Sequence, residues 1–339
     1  MSNRLKIAVV SINQPSLNSA CELLKYLHDF EVDVYGKKDL NHNLSNLIIY
    51  EKIDTVLENA WKRYDAIICI LAMGIVVRKI APFLKSKATD PAIIVMSMDL
   101  SKIIPLLSGH IGGANELSDL IASRIKGCIN FISTATDQTN IFAFDIFAKK
   151  NNFEIQNLQC LAKISNALLN NKEVEVKTYK SIFETISDKT NLKRVDEQSL
   201  ELCVNITPFT NKSLTLKPKV YLGMGCNKNT TFQEIEEAFL CFLDKYNLNK
   251  HQIENIASFE AKADEVGLLE FASKYSFDIK FYNKEQINSL QADFSPSQAT
   301  KFFNLKGVAE PSAILLSKYK ELILKKEVYN KKITIAGAV

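Results

Sequence analysis

The residues best placed to do chemistry lie in one short run, Ser108-Gly109-His110-Ile111-Gly112-Gly113, with Asn115 and Glu116 close behind. A hydroxyl, an imidazole, an amide and a carboxylate are the groups on which acid–base catalysis and oxyanion stabilisation draw. Glycine lets backbone approach a ligand closely, and a helix starting after the run would turn free N–H groups and its positive dipole end toward that ligand. An anionic ligand suits the arrangement. Ser108 and His110 are two apart, so in extended backbone their side chains would face the same way. The plain alternative is that Gly109, Gly112 and Gly113 only shape a strand-to-helix turn, His110 packs on the sheet and Glu116 offsets the helix dipole.

A second glycine pair opens the run Gly223-Met224-Gly225-Cys226-Asn227-Lys228-Asn229-Thr230. It begins like the dinucleotide fingerprint G-x-G-x-x-G but carries Lys228 at the third glycine, and it lacks the G-x-x-x-x-G-K-[ST] spacing of a phosphate-binding loop. Neither NAD nor ATP is supported. Cys226 reads as a small buried hydrophobe. Charges beside turns at Lys262, Asp264 and Glu265, and at Glu310, read on spacing alone as helix caps on a solvated surface.

The elements that must hold these loops alternate. Across residues 1–145, short β-rich runs at 6–12, 31–35, 66–70, 92–98 and 103–107 are separated by helical periodicity at 16–27, 53–61 and 74–84, with another helix from near Gly113. That is the pattern of βα units about a parallel sheet. In the first helix Leu17, Ala20, Leu23, Leu24 and Leu27 share a face. Residues 146–217 are richer in Asn, Lys, Glu and Ser and lack long apolar runs, which suggests a small middle domain or an elaborated linker. From Val220 the alternation resumes, with strands at 220–224, 255–259 and 279–282 and helices at 231–246, 264–275 and 310–319. Thr231 and Glu234 have the spacing of a capping box. Ligands of open parallel sheets bind beyond the carboxyl ends of the strands, and both glycine runs are expected there.

Composition removes several classes. A chain of 339 residues, 47% hydrophobic and 24% charged, is neither disordered nor fibrous and has room for two or three domains. The longest apolar run, residues 66–77, is far short of the roughly 20 residues of a membrane span. No leader-like apolar segment marks the N-terminus, so a cytoplasmic protein is expected. Net charge is +4, and of 42 basic residues only five are arginine, which disfavours nucleic acid as a partner. Seven cysteines without a C-x-x-C pair indicate reduced thiols, and His28, His42, His110 and His251 are too dispersed for a local zinc motif.

The run L-L-S-G-H-I-G-G-A-N-E-L, residues 106–117, closely resembles the signature of the cobalt-precorrin-5A hydrolase family, the lactone-opening enzymes of anaerobic cobalamin biosynthesis. The resemblance extends through A-M-G-I-V-V-R-K-I-A-P at 72–82, T-D-P-A at 89–92 and T-A-T-D at 134–137. It resumes with G-M-G-C at 223–226, K-A-D-E at 262–265 and V-A-E at 308–310. The middle segment carries no recognised motif. Two places depart from the pattern: 227–230 reads N-K-N-T where the family has R-R-G-T, and 303–307 reads F-N-L-K-G in place of a T-G-V-G-S-like stretch. The implied reaction is hydrolysis of the ring-A δ-lactone of cobalt-precorrin-5A, with loss of acetaldehyde to give cobalt-precorrin-5B. The βα alternation and the positions of these motifs together predict an α/β fold, with two Rossmann-like domains, 1–145 and 218–339, flanking a small middle domain at 146–217. Lactone opening asks for a base and oxyanion donors: His110 or Glu116 for the first, the N–H groups near Gly112 and Gly113 for the second, and Glu310 as the alternative acid/base group. Ser108, Gly109, Asn115, Gly223, Gly225 and Lys262 are the remaining candidates for contact with substrate. No protein-bound metal or cofactor is called for, because cobalt arrives in the tetrapyrrole, and neighbouring enzymes of the pathway are candidate partners. The rival reading is a non-catalytic tetrapyrrole-binding or carrier module.

Overall fold

The computed structural model describes residues 4–41, 44, 47–87, 89–133, 141–198, 200–296 and 303–339. Its first sheet is built on three strands that are buried almost end to end, β1 (Lys6–Ser11), β4 (Ala66–Ile70) and β5 (Ala92–Met96). Such continuous apolar runs belong to strands covered by helices on both faces. Alternate residues feed two separate cores, Ile7, Val9, Ile68 and Ile94 on one side and Ala8, Val10, Ile67 and Ile93 on the other. With β2 (Glu31–Lys37), β3 (Leu47–Tyr50), β6 (Lys102–Leu107) and β7 (Ile129–Asn130) the order is β3-β2-β1-β4-β5-β6-β7. The sheet is mixed rather than wholly parallel. β6 returns antiparallel to β5, with Met96 opposite Ile103 and Ile93 opposite Leu107. Only residues 97–101 join them, too few for the crossover of a dozen or more residues that a parallel neighbour requires.

Residues 154–217 form a sheet of their own and not a linker, in the order β10-β9-β11-β12-β8. The strands are β8 (Glu154–Gln156), β9 (Val174–Thr178), β10 (Leu192–Val195), β11 (Cys203–Ile206) and β12 (Leu214–Lys217). None exceeds five residues, which is why the sequence shows no long apolar run there. The third sheet, β15-β14-β13-β17-β16, sets parallel β13 (Val220–Cys226), β14 (Ile253–Phe259) and β15 (Lys280–Tyr282) beside a C-terminal antiparallel hairpin, β16 (Leu322–Tyr329) and β17 (Ile333–Ala338).

The chain divides into two compact units, residues 1–140 and 141–339. Within the second unit one apolar cluster runs through both sheets, joining Val204 and Leu216 to Leu222 and Phe239. Polar ties reinforce it: Gln252 Nε2 donates to the Pro208 carbonyl (2.7 Å) and the Tyr319 hydroxyl to Asn151 Oδ1 (2.8 Å). Among the described residues no helix is long and apolar enough to cross a membrane.

Candidate functional sites

Each half of the family signature occupies its own unit. In the first, β6 ends at Leu107 and Ser108 turns sharply, with φ of 57°, into the helix Ala114–Arg124. Three amides close the turn: Ala114 N–H donates to the Ser108 carbonyl (3.2 Å), Asn115 N–H to that of Gly109 (3.0 Å) and Gly113 N–H to that of His110 (3.1 Å). The backbone is packed so closely that a Cβ on Gly112 would stand 2.4 Å from the Ser108 Cβ. Gly113, at φ of 82°, holds the left-handed position before the helix. Asn115 folds back over the turn, its Oδ1 2.7 Å from where a Gly109 Cβ would be. Its carbonyl accepts from the buried Ser118 hydroxyl (2.9 Å), to which Asn130 Nδ2 donates in turn (2.9 Å). His110 is half-buried and Glu116 is exposed in the first helical turn.

Three expectations change here. Ser108 is left-handed, so the premise of an extended backbone placing it alongside His110 fails. The Gly113 N–H is occupied by the His110 carbonyl, so among the described residues the Gly112 N–H is the member of that pair with no acceptor. Nor does the turn lie beyond the carboxyl ends of the parallel strands: because β6 is antiparallel, it lies where β5 begins. At that same end Asp90, 7% exposed, accepts from the Lys85 and Ser86 amides (3.0 and 3.1 Å) and fixes the entry of β5. This accounts structurally for the T-D-P-A motif, whose acid the sequence reading left without a role. The T-A-T-D motif at 134–137 lies outside the described residues. One polar atom in the turn is unaccounted for: Ser108, 8% exposed, keeps its hydroxyl buried with no hydrogen-bond partner among the described residues. Native structures seldom leave such a group unsatisfied: a water, an ion or a ligand supplies the partner.

In the second unit, β13 runs through Gly225 to Cys226, further than the strand expected from sequence. Gly223 and Gly225 therefore lie inside the sheet, where the helix Ala309–Leu316 and Thr334 approach so closely that a Cβ on either would collide. Packing explains both glycines. Beyond the carboxyl ends of β13 and β14 opens a cleft of about 780 Å³ lined by Asn229, Thr230, Lys262, Asp264, Glu265 and Phe303, among others. Lys262 Nζ pairs with Glu265 Oε1 at 3.1 Å, both side chains largely buried, and Glu265 Oε2 accepts the Asn229 N–H (2.9 Å). Glu265 thus anchors the N-K-N-T loop, a role that spacing alone could not assign. Burial raises the Cys226 thiol to about 11, with Lys262 pulling it down and Glu265 pushing it up, so it stays protonated at neutral pH. The capping box of Thr231 and Glu234 is present.

Glu310 is not a cap on a solvated surface. It is 3% exposed, and its carboxylate accepts from Ser295 N (2.7 Å), the Ser295 hydroxyl (2.8 Å) and Lys326 N (3.0 Å). Burial alone would raise its pKa, but these donors and the Lys326 charge outweigh it and hold the carboxyl below the usual glutamate range. Its contribution to stability is therefore complete above the unfolded value of about 4.3 and is lost as pH falls through the lower folded value. Glu310→Gln sets an amide NH₂ among donors, so the second unit should lose about 2 kcal/mol at pH 7. The difference from wild type should shrink below pH 4, as read by urea midpoints at both pH values. A constant difference across that range would contradict the ionised clamp. Among the described residues no group of three or more His, Cys, Asp or Glu side chains gathers as a metal site.

Residues 55–137 match the family description "Cobalamin synthesis G N-terminal", residues 142–222 "Cobalamin biosynthesis central region" and residues 220–338 "Cobalamin synthesis G C-terminus". The chain is 28% identical to cobalt-precorrin-5A hydrolase of Priestia megaterium, over 99% of this chain and 96% of that one. It is 29% identical to cobalt-precorrin-5A hydrolase of Salmonella typhimurium, over 76% and 78% respectively. A solved structure of a putative cobalamin biosynthesis protein G homolog from Sulfolobus solfataricus is 24% identical with a TM-score of 0.41, over 99% of this chain and 97% of that one. The three family regions follow one another along nearly the whole sequence, carrying the 106–117 signature in the first and G-M-G-C in the third, and the chain belongs to the cobalamin synthesis G family of cobalt-precorrin-5A hydrolases.

Proposed function

We propose that the turn at residues 108–116 is where water attacks the lactone. By its family the chain is a cobalt-precorrin-5A hydrolase, an enzyme of cobalamin biosynthesis whose metal comes with the substrate. Water adds to the lactone carbonyl and the tetrahedral oxyanion collapses to a carboxylic acid, freeing the oxygen on the methylated carbon. That oxygen becomes the carbonyl of acetaldehyde as the carbon–carbon bond to the macrocycle breaks, and the bonding electron pair stays with the macrocycle, which takes up a proton. The chain must take a proton from the attacking water and hold the oxyanion. His110 is the base, the Gly112 N–H the oxyanion donor, and Ser108 and Asn115 hold the substrate. The observation that carries this reading is the buried Ser108 hydroxyl, which has no partner among the described residues and which a substrate oxygen would satisfy. Ser108→Ala should therefore leave the thermal midpoint unchanged or slightly raised, since no hydrogen bond is lost, while kcat/KM falls about tenfold. Full activity in that variant removes Ser108 from the site. Incubation with cobalt-precorrin-5A should yield acetaldehyde and the matching mass change; tight binding with neither leaves the carrier reading.

The first sheet's order from β3 to β5 supports a doubly wound, Rossmann-like domain, and the parallel half of the third sheet a second one. Division near residues 145 and 217, one part per sheet, is the organisation we favour, in a protein of the cytoplasm.

A further inference from the structure

The middle sheet has a crevice for which the proposed reaction has no use. From β9 the chain passes to β10 on one side, then crosses to β11 on the other, so the connecting loops part between β9 and β11. Such switch points, at the carboxyl ends of parallel strands, are where open sheets bind ligands. A cleft of about 560 Å³ lies there. Lys177 and Asn205 stand opposite each other on β9 and β11 and both line it. Asn205 is 1% exposed; its Oδ1 accepts from Asn211 Nδ2 (3.4 Å), while its Nδ2 amide is buried with no partner among the described residues. Lys177 is half-buried, and its ammonium meets no acceptor among the described residues. The two acids of the lining are engaged: Asp196 pairs with Arg194 (2.6 Å) and Glu321 accepts from the Ser181 hydroxyl (2.9 Å). Behind them the buried Lys217 donates to Thr210 Oγ1 (2.9 Å), adding positive potential.

We propose that the crevice between β9 and β11 binds a carboxylate, held by the Lys177 ammonium and the Asn205 amide. One unpaired cation and one neutral donor match a single negative charge with two acceptor oxygens better than a phosphate dianion. Peripheral acid groups of a tetrapyrrole and free small dicarboxylates share that chemistry. Calorimetric titration of the full chain with uroporphyrin III, an eight-carboxylate tetrapyrrole, and with succinate separates them and needs no turnover, so it is independent of the 108–116 turn. Saturable binding of at least one probe is expected, weakened tenfold or more in Lys177→Met and in Asn205→Asp. Lys172→Met, the same charge change on an exposed residue at the opposite end of β9, should bind within twofold of wild type. Uroporphyrin binding displaced by excess succinate assigns the crevice to tetrapyrrole side chains; saturable succinate binding alone assigns it to a free dicarboxylate. If Asn205→Asp does not fold, Lys177→Met decides. Absence of saturable binding, or equal weakening by Lys172→Met, overturns the proposal.

Discussion

Replacing His110 with alanine lowers acetaldehyde release from cobalt-precorrin-5A by about 10²–10³-fold with little change in KM, whereas Glu116→Gln lowers it less than tenfold. The first figure is the usual loss when a general base is removed while the remaining binding and oxyanion contacts persist. The contrast rests on placement. Glu116 projects from the first turn of the helix Ala114–Arg124 and is exposed, where a carboxylate complements the helix dipole. His110 sits half-buried within the turn, two residues from the uncommitted Gly112 N–H, and imidazole is the side chain that ordinarily exchanges a proton near neutrality. Steady-state acetaldehyde assays on the two variants, with the mass of the tetrapyrrole product, read the difference. Full turnover in His110→Ala together with its loss in Glu310→Gln would move the chemistry to the second unit. That outcome would sit poorly with Glu310 itself, whose carboxylate is held ionised by Ser295 and the Lys326 amide and has the environment of a structural anchor.

Local signals were readable along the chain, and long-range ones were not. The apolar runs of β1, β4 and β5, the shared helical face of Leu17, Ala20 and Leu23, and the Thr231–Glu234 capping box all depend on neighbours a few residues apart. The reversal of β6 depends on a five-residue connection that can be recognised only once both flanking strands are known to pair. It moves the signature turn to the opposite end of the sheet. The middle sheet escaped because strands of three to five residues carry too few alternations to separate from loop, and the C-terminal hairpin because its turn is made by Asn330 and Lys331, both at positive φ. Asn-Gly is the usual signature of that geometry, and lysine there gives no warning.

Site residues divide in the same way. The glycine-dense run marked a strand-to-helix turn, and the structure has one there, in which Gly112 admits no Cβ. Which amides remain available, however, depends on the φ of Ser108, and no spacing rule predicts a left-handed serine. Glu310 looked like a cap because its partners, Ser295 and Lys326, are remote in sequence. Lys177 and Asn205 belong to no motif and meet only through strand register.

Gly223→Ala should destabilise the second unit by upward of about 3 kcal/mol, the severe end of overpacking. An added Cβ would lie 1.8 Å from the Ala309 carbonyl oxygen and 2.6 Å from the Ala313 nitrogen. Both are backbone atoms, so no rotamer change relieves the clash and the helix Ala309–Leu316 must lift from β13, carrying Glu310 away from Ser295 and Lys326. For a unit of this size that corresponds to a fall of roughly 6–12 °C in its thermal midpoint. Gly127→Ala is the comparison: φ of 80° strains an alanine there, but nothing lies within 4 Å of the new Cβ, and the loss should stay near 1 kcal/mol in the first unit. Calorimetry of the full chain distinguishes the two. The same pair of variants also tests why glycine stands in G-M-G-C. If Gly223→Ala melts like wild type yet loses activity or tetrapyrrole binding, the glycine serves the ligand; if it melts early, the glycine is there because helix and strand touch backbone to backbone, and the cleft beyond β13 owes its shape to that contact.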